Sequence, residues 1–200
     1  MRPTGDAVSD DPYRILFICT GNICRSPFME RLMRARLDDA LGAASGRIVV
    51  SSAGTWALTG EPMNDDAAEV LREYGGDPAG FVARGLDADE VNAADLVLTA
   101  TREHRSIVVS EVPRAASKTA TLREFARLLS GVTITPADAD VADRLVAVAT
   151  AAFKRRGLVP AVEPAEDDIP DPYRGPREGY VEAARLIDAA LAVPLAMLVS

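Results

Sequence analysis

The stretch ILFICTGNICRSP, residues 15–27, decides the fold. It joins a short, continuous apolar run at residues 15–18 to a loop that begins at Cys19 and ends at Ser26 and Pro27. An apolar run of this length, bounded by a loop, is typical of a strand that is buried on both faces, as strands are in a parallel sheet. Proline is well tolerated at the first helical position, so a helix is expected to follow. The segment therefore predicts a strand, a tight loop and a helix in succession.

Apolar runs and helical patterns continue to alternate along the chain. Three further runs predict strands, the last of them weakly, at residues 48–50, 96–98 and 118–122. In addition to the first helix, helical periodicity is found at residues 64–74, 103–112, 122–129 and 177–193. Strands that alternate with helices indicate an α/β fold. We expect a three-layer sandwich in which a short, four-stranded, doubly wound parallel sheet has helices on both faces.

Two segments lie outside this alternation. The polar residues 1–12 predict a flexible N-terminal extension ahead of a single domain at residues 13–200. Within that domain, residues 131–170 predict an inserted helix and a proline-rich loop. The signals for the inserted helix are an N-cap, a first-turn proline, an early acid and a terminating glycine, which are Thr135, Pro136, Asp138 and Gly157.

Composition excludes several classes of function. The net charge of -8 argues against a nucleic-acid surface, which needs a dense face of Lys and Arg. No apolar stretch approaches the roughly 20 residues that span a bilayer, and the N-terminus is too polar for a signal peptide, so we expect a cytoplasmic protein without a membrane interaction. The two cysteines, Cys19 and Cys24, and the single histidine, His104, are too few for a disulfide framework or a structural zinc site.

The loop after the first strand has the residue types of an anion-binding site. A helix begins immediately after it, so backbone N–H groups and the helix dipole favour negative charge there. Gly21 and Asn22 tolerate left-handed backbone angles and allow the loop to curl around an anion. The same field favours Cys19 as a thiolate, and the planar fork of Arg25 suits bidentate capture of phosphoryl oxygens. The residues therefore predict a phosphate-binding loop that carries a nucleophilic cysteine.

Three motifs resemble those of the low-molecular-weight protein tyrosine phosphatases. They are the signature loop CTGNICRSP at residues 19–27, the supporting segment SSAGT at residues 51–55 and the acid segment IPDPYRG at residues 169–175. The resemblance covers most of the chain in outline. Residues 1–12 and the helix with its proline-rich stretch after Gly131 stand out as additions.

By this resemblance, the chain is a phosphatase that hydrolyses phosphotyrosine in protein substrates and needs no metal or other cofactor. Cys19 would attack phosphorus to form a phosphocysteine, and Ser26 would donate its hydroxyl to the sulfur. Asp171 would give a proton to the leaving tyrosine oxygen and later take one from the hydrolytic water. The equatorial oxygens would be held by the Arg25 guanidinium and the loop amides, contributed by Thr20, Gly21, Asn22, Ile23 and Cys24. Ser52 would hydrogen-bond Asn22. The sequence does not identify a cognate tyrosine kinase.

Several of these residues have a second interpretation. Trp56 and Tyr173 are expected as aromatic walls of the cleft, although Trp56 also fits an ordinary core or surface position. Cys24 either packs beneath the loop or forms a reversible, protective disulfide with Cys19.

Three other polar residues are expected to have no part in the chemistry. Asp167 and Asp168, close to the predicted acid, are interpreted as a solvated acidic run. His104, at a predicted helix start, is interpreted as a surface or capping residue, with contact to the substrate as the alternative.

Three other functions are compatible with the same motifs. A protein arginine phosphatase would share every catalytic residue, but the apolar Ile23 leaves room for the flat ring of tyrosine. An arsenate reductase would need an external thiol, because the chain has no cysteine outside the loop. A catalytically silent phosphate-binding module is disfavoured by the presence of nucleophile, arginine, serine and acid together.

Overall fold

A four-stranded parallel sheet forms the middle layer of the protein. The computed structural model describes residues 11–133 and 140–199, with the side chain of residue 199 excepted. The strands are β1 (Tyr13–Cys19), β2 (Ile48–Gly54), β3 (Leu96–Thr99) and β4 (Thr119–Thr121). They are ordered β2-β1-β3-β4, and every neighbouring pair is parallel. The predicted sheet is thereby confirmed in strand number and direction.

Eight α-helices accompany the sheet in the described residues. They are α1 (Arg25–Leu41), α2 (Asp65–Glu73), α3 (Ala88–Ala93), α4 (Arg102–Glu111), α5 (Leu122–Leu129), α6 (Val141–Lys154), α7 (Pro164–Asp167) and α8 (Arg177–Val199). Two 3-10 turns, Gly42–Arg47 and Pro113–Lys118, lead into β2 and β4. Within residues 11–133 and 140–199, no helix combines the length and the apolar character that crossing a bilayer requires.

Alternate side chains of β1 enter two different cores. Ile15 and Phe17 pack in a large core that includes residues of α1, α2, α5, α6 and α8. Leu16 and Ile18 pack on the other face, in a smaller core with residues of α3 and α4. Helices therefore cover both faces of the sheet, which confirms the predicted three-layer arrangement.

The C-terminal helix is longer than the sequence pattern predicts. Pro194 suggests an end at Val193, since proline cannot donate the hydrogen bond of a helix interior. The structure nevertheless continues α8 to Val199, with Pro194 inside it. Leu198 is fully buried and its carbonyl oxygen accepts a hydrogen bond from Arg144 Nη1 of α6 at 2.8 Å. Tertiary packing of the last turn thus outweighs the missing backbone bond.

The helix predicted within residues 131–170 is present as α6, but its described start differs from the predicted one. Asp140 caps it, because the Asp140 carboxylate accepts a hydrogen bond from the backbone N–H of Ala142. The predicted start signals at 135–138 lie outside the described residues, as does most of the predicted extension, residues 1–10. The division into an extension and one domain with an insertion stays a prediction.

Two short helices have no counterpart in the predictions. The six-residue α3 buries only Val91, so it carries almost no periodic signal. The four-residue α7 interrupts the stretch that the prolines suggest is extended, and it begins at Pro164. Both are too short for their apolar pattern to reveal them.

Candidate active site

The loop from Thr20 to Cys24 joins the central strand β1 to α1, at the carboxyl edge of the sheet. Because β2 and β3 lie on opposite sides of β1, this edge is the switch point where open α/β sheets place their ligand sites. Asn22 adopts the left-handed backbone angle expected of it, with φ 52°. The predicted strand, loop and helix therefore occur in the place where an anion site is expected.

A segment that follows β2 supports the outer side of the loop. Thr55, Trp56 and Leu58 donate backbone N–H bonds to the carbonyl oxygens of Cys19, Thr20 and Gly21 at 2.9–3.0 Å. In a trans peptide the N–H points away from the C=O, so this turns the following N–H groups toward the opposite, inner side of the loop. Gly54 is required for this close approach, since a Cβ there would overlap the Thr20 carbonyl oxygen.

A chain of hydrogen bonds leads from Cys19 into the interior. Cys19 Sγ lies 2.9 Å from Ser26 Oγ, and Asn22 Nδ2 donates to Ser26 Oγ and to Ser52 Oγ, each at 2.9 Å. Ser52 donates in turn to the buried carboxylate of Glu30 at 2.7 Å. Because the Asn22 amide supplies hydrogens to both serine oxygens, Ser26 keeps its own hydroxyl hydrogen to donate. It has two acceptors, the Cys19 sulfur at 2.9 Å and the Ala53 carbonyl oxygen at 3.3 Å, and the sulfur is the nearer one. The contact between Ser52 and Asn22 is the one that the resemblance implies, whereas Glu30 gives no sequence signal of its own.

The Arg25 guanidinium lies beside the loop and is only 5% exposed. Its Nη1 donates to the Ile169 carbonyl oxygen at 3.1 Å, and its Nη2 lies 2.8 Å from Asp171 Oδ2. Nη2 is also 3.4 Å from Thr20 Oγ1. The buried Nε has no hydrogen-bond partner among the described residues. A buried donor without an acceptor is rare, so Nε is a position where a bound oxyanion would be held.

A cavity of about 290 Å³ opens above the loop. Trp56, with 79% exposure, and Tyr173, with 41%, stand on its wall as the two aromatic residues expected there. Cys19, Thr20, Gly21, Ile23, Cys24, Arg25 and Asp171 line it as well. The cavity therefore brings together the predicted nucleophile, arginine and acid.

Two further cavity residues are not predicted from the sequence. Leu58 belongs to the segment that supports the loop, and Arg174 follows the Asp-Pro-Tyr motif. Arg174 has a left-handed backbone angle, with φ 61°, and its guanidinium carbon lies 5.1 Å from the centre of the Tyr173 ring. Its adjacency to Tyr173 is the one signal that could have identified it.

Asp171 is half-exposed and lies in a loop that is held in place by the two acids just before it. The expectation that Asp167 and Asp168 are solvated is wrong. Asp167 is 3% exposed and forms ion pairs with Arg102 and Arg127 at 2.6 and 3.0 Å. Asp168 Oδ1 accepts a hydrogen bond from the backbone N–H of Arg102 at 2.8 Å. The stretch that contains Asp167 and Asp168 is thus tied to the start of α4 and to the last turn of α5, and this fixes the loop that leads to Asp171.

Replacing Asp167 by asparagine is expected to lower the free energy of unfolding by about 1–3 kcal/mol, since two partly exposed guanidiniums lose a buried charged partner. Burial alone would raise the pKa of Asp167, but hydrogen bonds from Arg127 and Arg102 outweigh it and lower that pKa. The ion pairs of Asp167 therefore stabilise the fold fully above the pKa that this carboxyl has in the unfolded chain. This stabilisation is lost as the pH falls through the lower pKa that it has in the folded protein. Urea unfolding of the wild type and of Asp167→Asn at several pH values measures the difference in free energy of unfolding.

The exposed Asp39 provides the control for this substitution. Asp39→Asn is expected to leave stability nearly unchanged at every pH. Equal stability of the Asp167→Asn variant and the wild type at neutral pH would contradict the anchoring role.

His104 is not a surface residue, contrary to the expectation. Its ring is 5% exposed, with Nε2 2.8 Å from Thr20 Oγ1 and Nδ1 2.7 Å from Thr101 Oγ1. Burial lowers the pKa of His104 to about 4, and the positive charge of Arg25 contributes in the same direction. Thr101, rather than His104, caps α4.

Both cysteines are buried and neither forms a disulfide. Burial raises the pKa of the Cys24 thiol to about 12, with a further contribution from Cys19. Within the part of the chain that the structure describes, no cluster of His, Cys, Asp and Glu has the composition of a metal site.

The family model described as "Low molecular weight phosphotyrosine protein phosphatase" matches residues 14–143. A low molecular weight protein-tyrosine-phosphatase of Streptomyces coelicolor is 34% identical over 183 residues, which cover 89% of this chain and 88% of the relative. A protein-arginine-phosphatase of Geobacillus stearothermophilus is 36% identical over 132 residues, covering 66% and 78% of the two chains.

The similar solved structures also include both a tyrosine phosphatase and an arginine phosphatase. The low molecular weight protein tyrosine phosphatase from T. tengcongensis superimposes with a TM-score of 0.65 at 30% identity, covering 90% of this chain and 95% of the other. The arginine phosphatase from Geobacillus stearothermophilus has a TM-score of 0.65 at 29% identity and covers 92% of each chain. Similarity thus extends to enzymes with two different phosphorylated substrates.

Proposed function

Because this chain belongs to the low molecular weight phosphotyrosine protein phosphatase family, we propose that it hydrolyses phosphotyrosine in proteins through a phosphocysteine on Cys19. The observation that carries the proposal is the buried, unpartnered Nε of Arg25 beside the Cys19 loop. An oxyanion in the loop would accept from this Nε and from the inward-turned backbone amides. It would then lie where the Cys19 sulfur can reach phosphorus.

In the first step, Cys19 attacks phosphorus and the bond to the tyrosine oxygen breaks. Ser26 Oγ, 2.9 Å from the sulfur, supports the thiolate before the attack by donating its hydroxyl hydrogen. The phosphoryl group accepts hydrogen bonds from Arg25 Nη2, which otherwise pairs with Asp171. Asp171 is thereby released from the ion pair, takes up a proton from solvent and gives it to the leaving phenolate oxygen.

In the second step, water hydrolyses the phosphocysteine. Asp171, now a carboxylate, takes a proton from the water as its oxygen attacks phosphorus, and the bond between phosphorus and sulfur breaks. The Ser26 hydroxyl again stabilises the departing thiolate. When phosphate leaves, Asp171 returns its proton to solvent and pairs with Arg25 again, which restores the starting state. Inorganic phosphate and tyrosine are the products.

Tyrosine is favoured over arginine as the phosphorylated residue by the walls of the cavity. Ile23 offers an apolar surface at the loop, and Trp56 and Tyr173 offer two aromatic faces. A phenyl ring gains from stacking on aromatic faces. A phosphorylated guanidine needs hydrogen-bond acceptors for its N–H groups, which an isoleucine side chain does not supply.

Side-by-side assays of the purified protein on phosphotyrosine, phosphoarginine and arsenate test the function. We expect phosphotyrosine to have the highest kcat/KM, and Ile23→Thr to lower it relative to that for phosphoarginine. A higher kcat/KM for phosphoarginine in the wild type would assign the protein to the arginine phosphatases. Thiol-dependent arsenate reduction without phosphatase activity would assign it to the reductases, and phosphate binding without turnover of any substrate would make it a binding module.

A reversible disulfide between the two cysteines is expected after mild oxidation. Peroxide converts the Cys19 thiolate to a sulfenic acid, whose hydroxyl the Cys24 thiol displaces as water to form the S–S bond. With a pKa of about 12, Cys24 stays protonated, so Cys19 is the first to be oxidised. We expect inactivation by peroxide and recovery with a thiol reductant, with the disulfide identified by mass spectrometry. In Cys24→Ser, oxidation should instead proceed to sulfinic acid at Cys19, and sulfinic acid alone in the wild type would contradict the protective role.

The reaction requires Cys19 as a free thiol. We therefore infer that the enzyme works in a reducing compartment and place it in the cytoplasm. Its partners are then phosphotyrosine-containing proteins of the same compartment.

A further inference from the structure

A buried histidine lies behind the phosphate loop and has no part in the reaction proposed above. His104 connects two hydroxyl groups, with Nε2 2.8 Å from Thr20 Oγ1 and Nδ1 2.7 Å from Thr101 Oγ1. Thr20 directly follows the nucleophile Cys19 and lines the active-site cavity. A side chain that is 5% exposed and contacts a loop residue in this way can determine where the Thr20 hydroxyl hydrogen points.

The charge of His104 limits the ways in which this chain of hydrogen bonds can be arranged. Burial and the nearby Arg25 lower the pKa of His104 to about 4, so the ring is neutral near pH 7. A neutral imidazole has one N–H donor and one acceptor nitrogen. Either Nε2 donates to Thr20 and Nδ1 accepts from Thr101, or both directions are reversed.

Thr101 distinguishes between these two arrangements. Its hydroxyl oxygen already accepts the backbone N–H of His104, because Thr101 caps α4. Within residues 11–133 and 140–199, both hydrogen bonds of this hydroxyl are made with His104. If Nδ1 also donated to Thr101, the Thr101 hydroxyl hydrogen would have no acceptor there. Thr101 is partly exposed, so that hydrogen could then turn only to solvent. If Thr101 instead donates to Nδ1, every one of these hydrogen bonds is made within the protein, and this favours the ring hydrogen on Nε2.

The Nε2–H tautomer leaves the Thr20 hydroxyl as a donor. Thr20 Oγ1 then accepts from His104 Nε2 and, at 3.4 Å, from Arg25 Nη2. With its oxygen engaged by two donors, the remaining hydroxyl hydrogen is available to the cavity. In the opposite tautomer, the Thr20 hydroxyl would instead donate this hydrogen to His104 Nε2.

We propose that His104 is a positioning residue that directs the Thr20 hydroxyl hydrogen at the phosphoryl group. Thr20 thereby contributes a side-chain donor in addition to its backbone amide. This inference rests on the proposed phosphatase function. It adds a role for the Thr20 hydroxyl and a role for His104. The Thr20 donor acts on the oxygens where negative charge accumulates in the transition state, so its loss lowers kcat.

Nuclear magnetic resonance of the ¹⁵N-labelled imidazole tests the tautomer directly. His104 is the only histidine in the chain, so a tag-free protein gives a single set of imidazole signals that needs no assignment. We expect the Nε2–H tautomer from pH 6 to 8, and we expect it to persist when phosphate is added. An Nδ1–H tautomer, or a rapid average of both, would overturn the proposal.

Kinetic variants test the consequence for catalysis. Thr20→Val removes the hydroxyl at nearly constant volume, whereas Thr20→Ser keeps it. We expect kcat of the valine variant to be lower than that of the serine variant by up to about a hundredfold, the lower end of the loss for a single oxyanion-hole donor. Equal kcat values for the two variants would contradict a role for the hydroxyl.

A double-mutant cycle shows whether His104 acts through Thr20. His104→Leu should lower kcat in the wild type but have little further effect in Thr20→Val, because the hydroxyl that it positions is already gone. His104→Gln, which keeps an N–H donor in a similar place, should recover part of the loss. Additive losses would show a merely structural role for His104.

The phosphatase function and the role of His104 can fail separately. Absence of phosphatase activity in the wild type would remove the proposed function, whatever the tautomer. Normal activity together with an Nδ1–H ring would leave the phosphatase function in place and remove only the role of His104.

Discussion

Cys19→Ser is expected to reduce turnover by more than about 10⁴-fold, as the loss of a nucleophile does in other covalent enzymes. A serine hydroxyl is far less acidic than a thiol, so the loop cannot hold it as an anion near neutral pH. The anion site itself should survive, because Arg25 and the loop amides are unchanged. The measurements are kcat on phosphotyrosine and the Kd for inorganic phosphate by calorimetry.

Cys24→Ser is the matched control for this substitution. It removes the other buried thiol of the same loop, and the proposed chemistry predicts that most of the turnover remains. If Cys19→Ser kept even a tenth of the wild-type rate, Cys19 would not be the nucleophile. A loss of phosphate binding equal to the loss of turnover would point to a collapsed loop instead.

The sheet and the loop were predictable because their signals are local. The apolar run of β1, the glycine and asparagine of the loop and the proline at the helix start all lie within residues 15–27. A buried parallel strand needs an unbroken apolar run, so the pattern leaves few alternatives. The same holds for the nucleophile and the arginine, whose roles depend on spacing within one loop.

The surroundings of the acid were not predictable, because they depend on contacts between distant parts of the chain. Asp167 is buried by Arg102 and Arg127, which are 65 and 40 residues away along the sequence. A run of two acids beside prolines carries no sign of such partners, and exposure is the usual state of an aspartate.

The burial of His104 was not predicted, for the same reason. Its contact with Thr20 spans 84 residues. A single histidine in a polar segment gives no periodic signal, so burial becomes visible only when α4 is placed beside the loop. Ionisable residues that the fold buries through distant partners are therefore where a single sequence is least informative.

Asp171→Asn is expected to slow the cleavage of phosphotyrosine by about 10²–10⁴-fold, the range attributed to general acid catalysis. The tyrosine phenol has a pKa of about 10, so its departure as an anion near neutral pH is slow without a proton. A nitro-substituted phenol is much more acidic and departs readily unaided. The loss for its phosphate ester should therefore be much smaller.

The pH dependence gives a second, independent signature of the acid. A general acid must be protonated to act, so the wild-type rate on phosphotyrosine falls as the pH rises through the titration of that acid. Asparagine does not titrate in this range, so the alkaline limb of the kcat profile should flatten in the variant. For the nitro-substituted ester, the alkaline limb of the kcat profile should change little between the wild type and Asp171→Asn.

The choice of control decides whether these losses can be assigned to proton transfer. Asp167 and Asp168 are unsuitable, since both hold the loop in place, and loss of either would displace Asp171. Glu178, exposed at the start of α8, is a better choice, and Glu178→Gln should leave both esters unaffected. Equal losses on the two esters in Asp171→Asn would indicate a structural role, because a misplaced Arg25 slows both reactions alike. Only a loss that grows with the pKa of the leaving group identifies Asp171 as the proton donor.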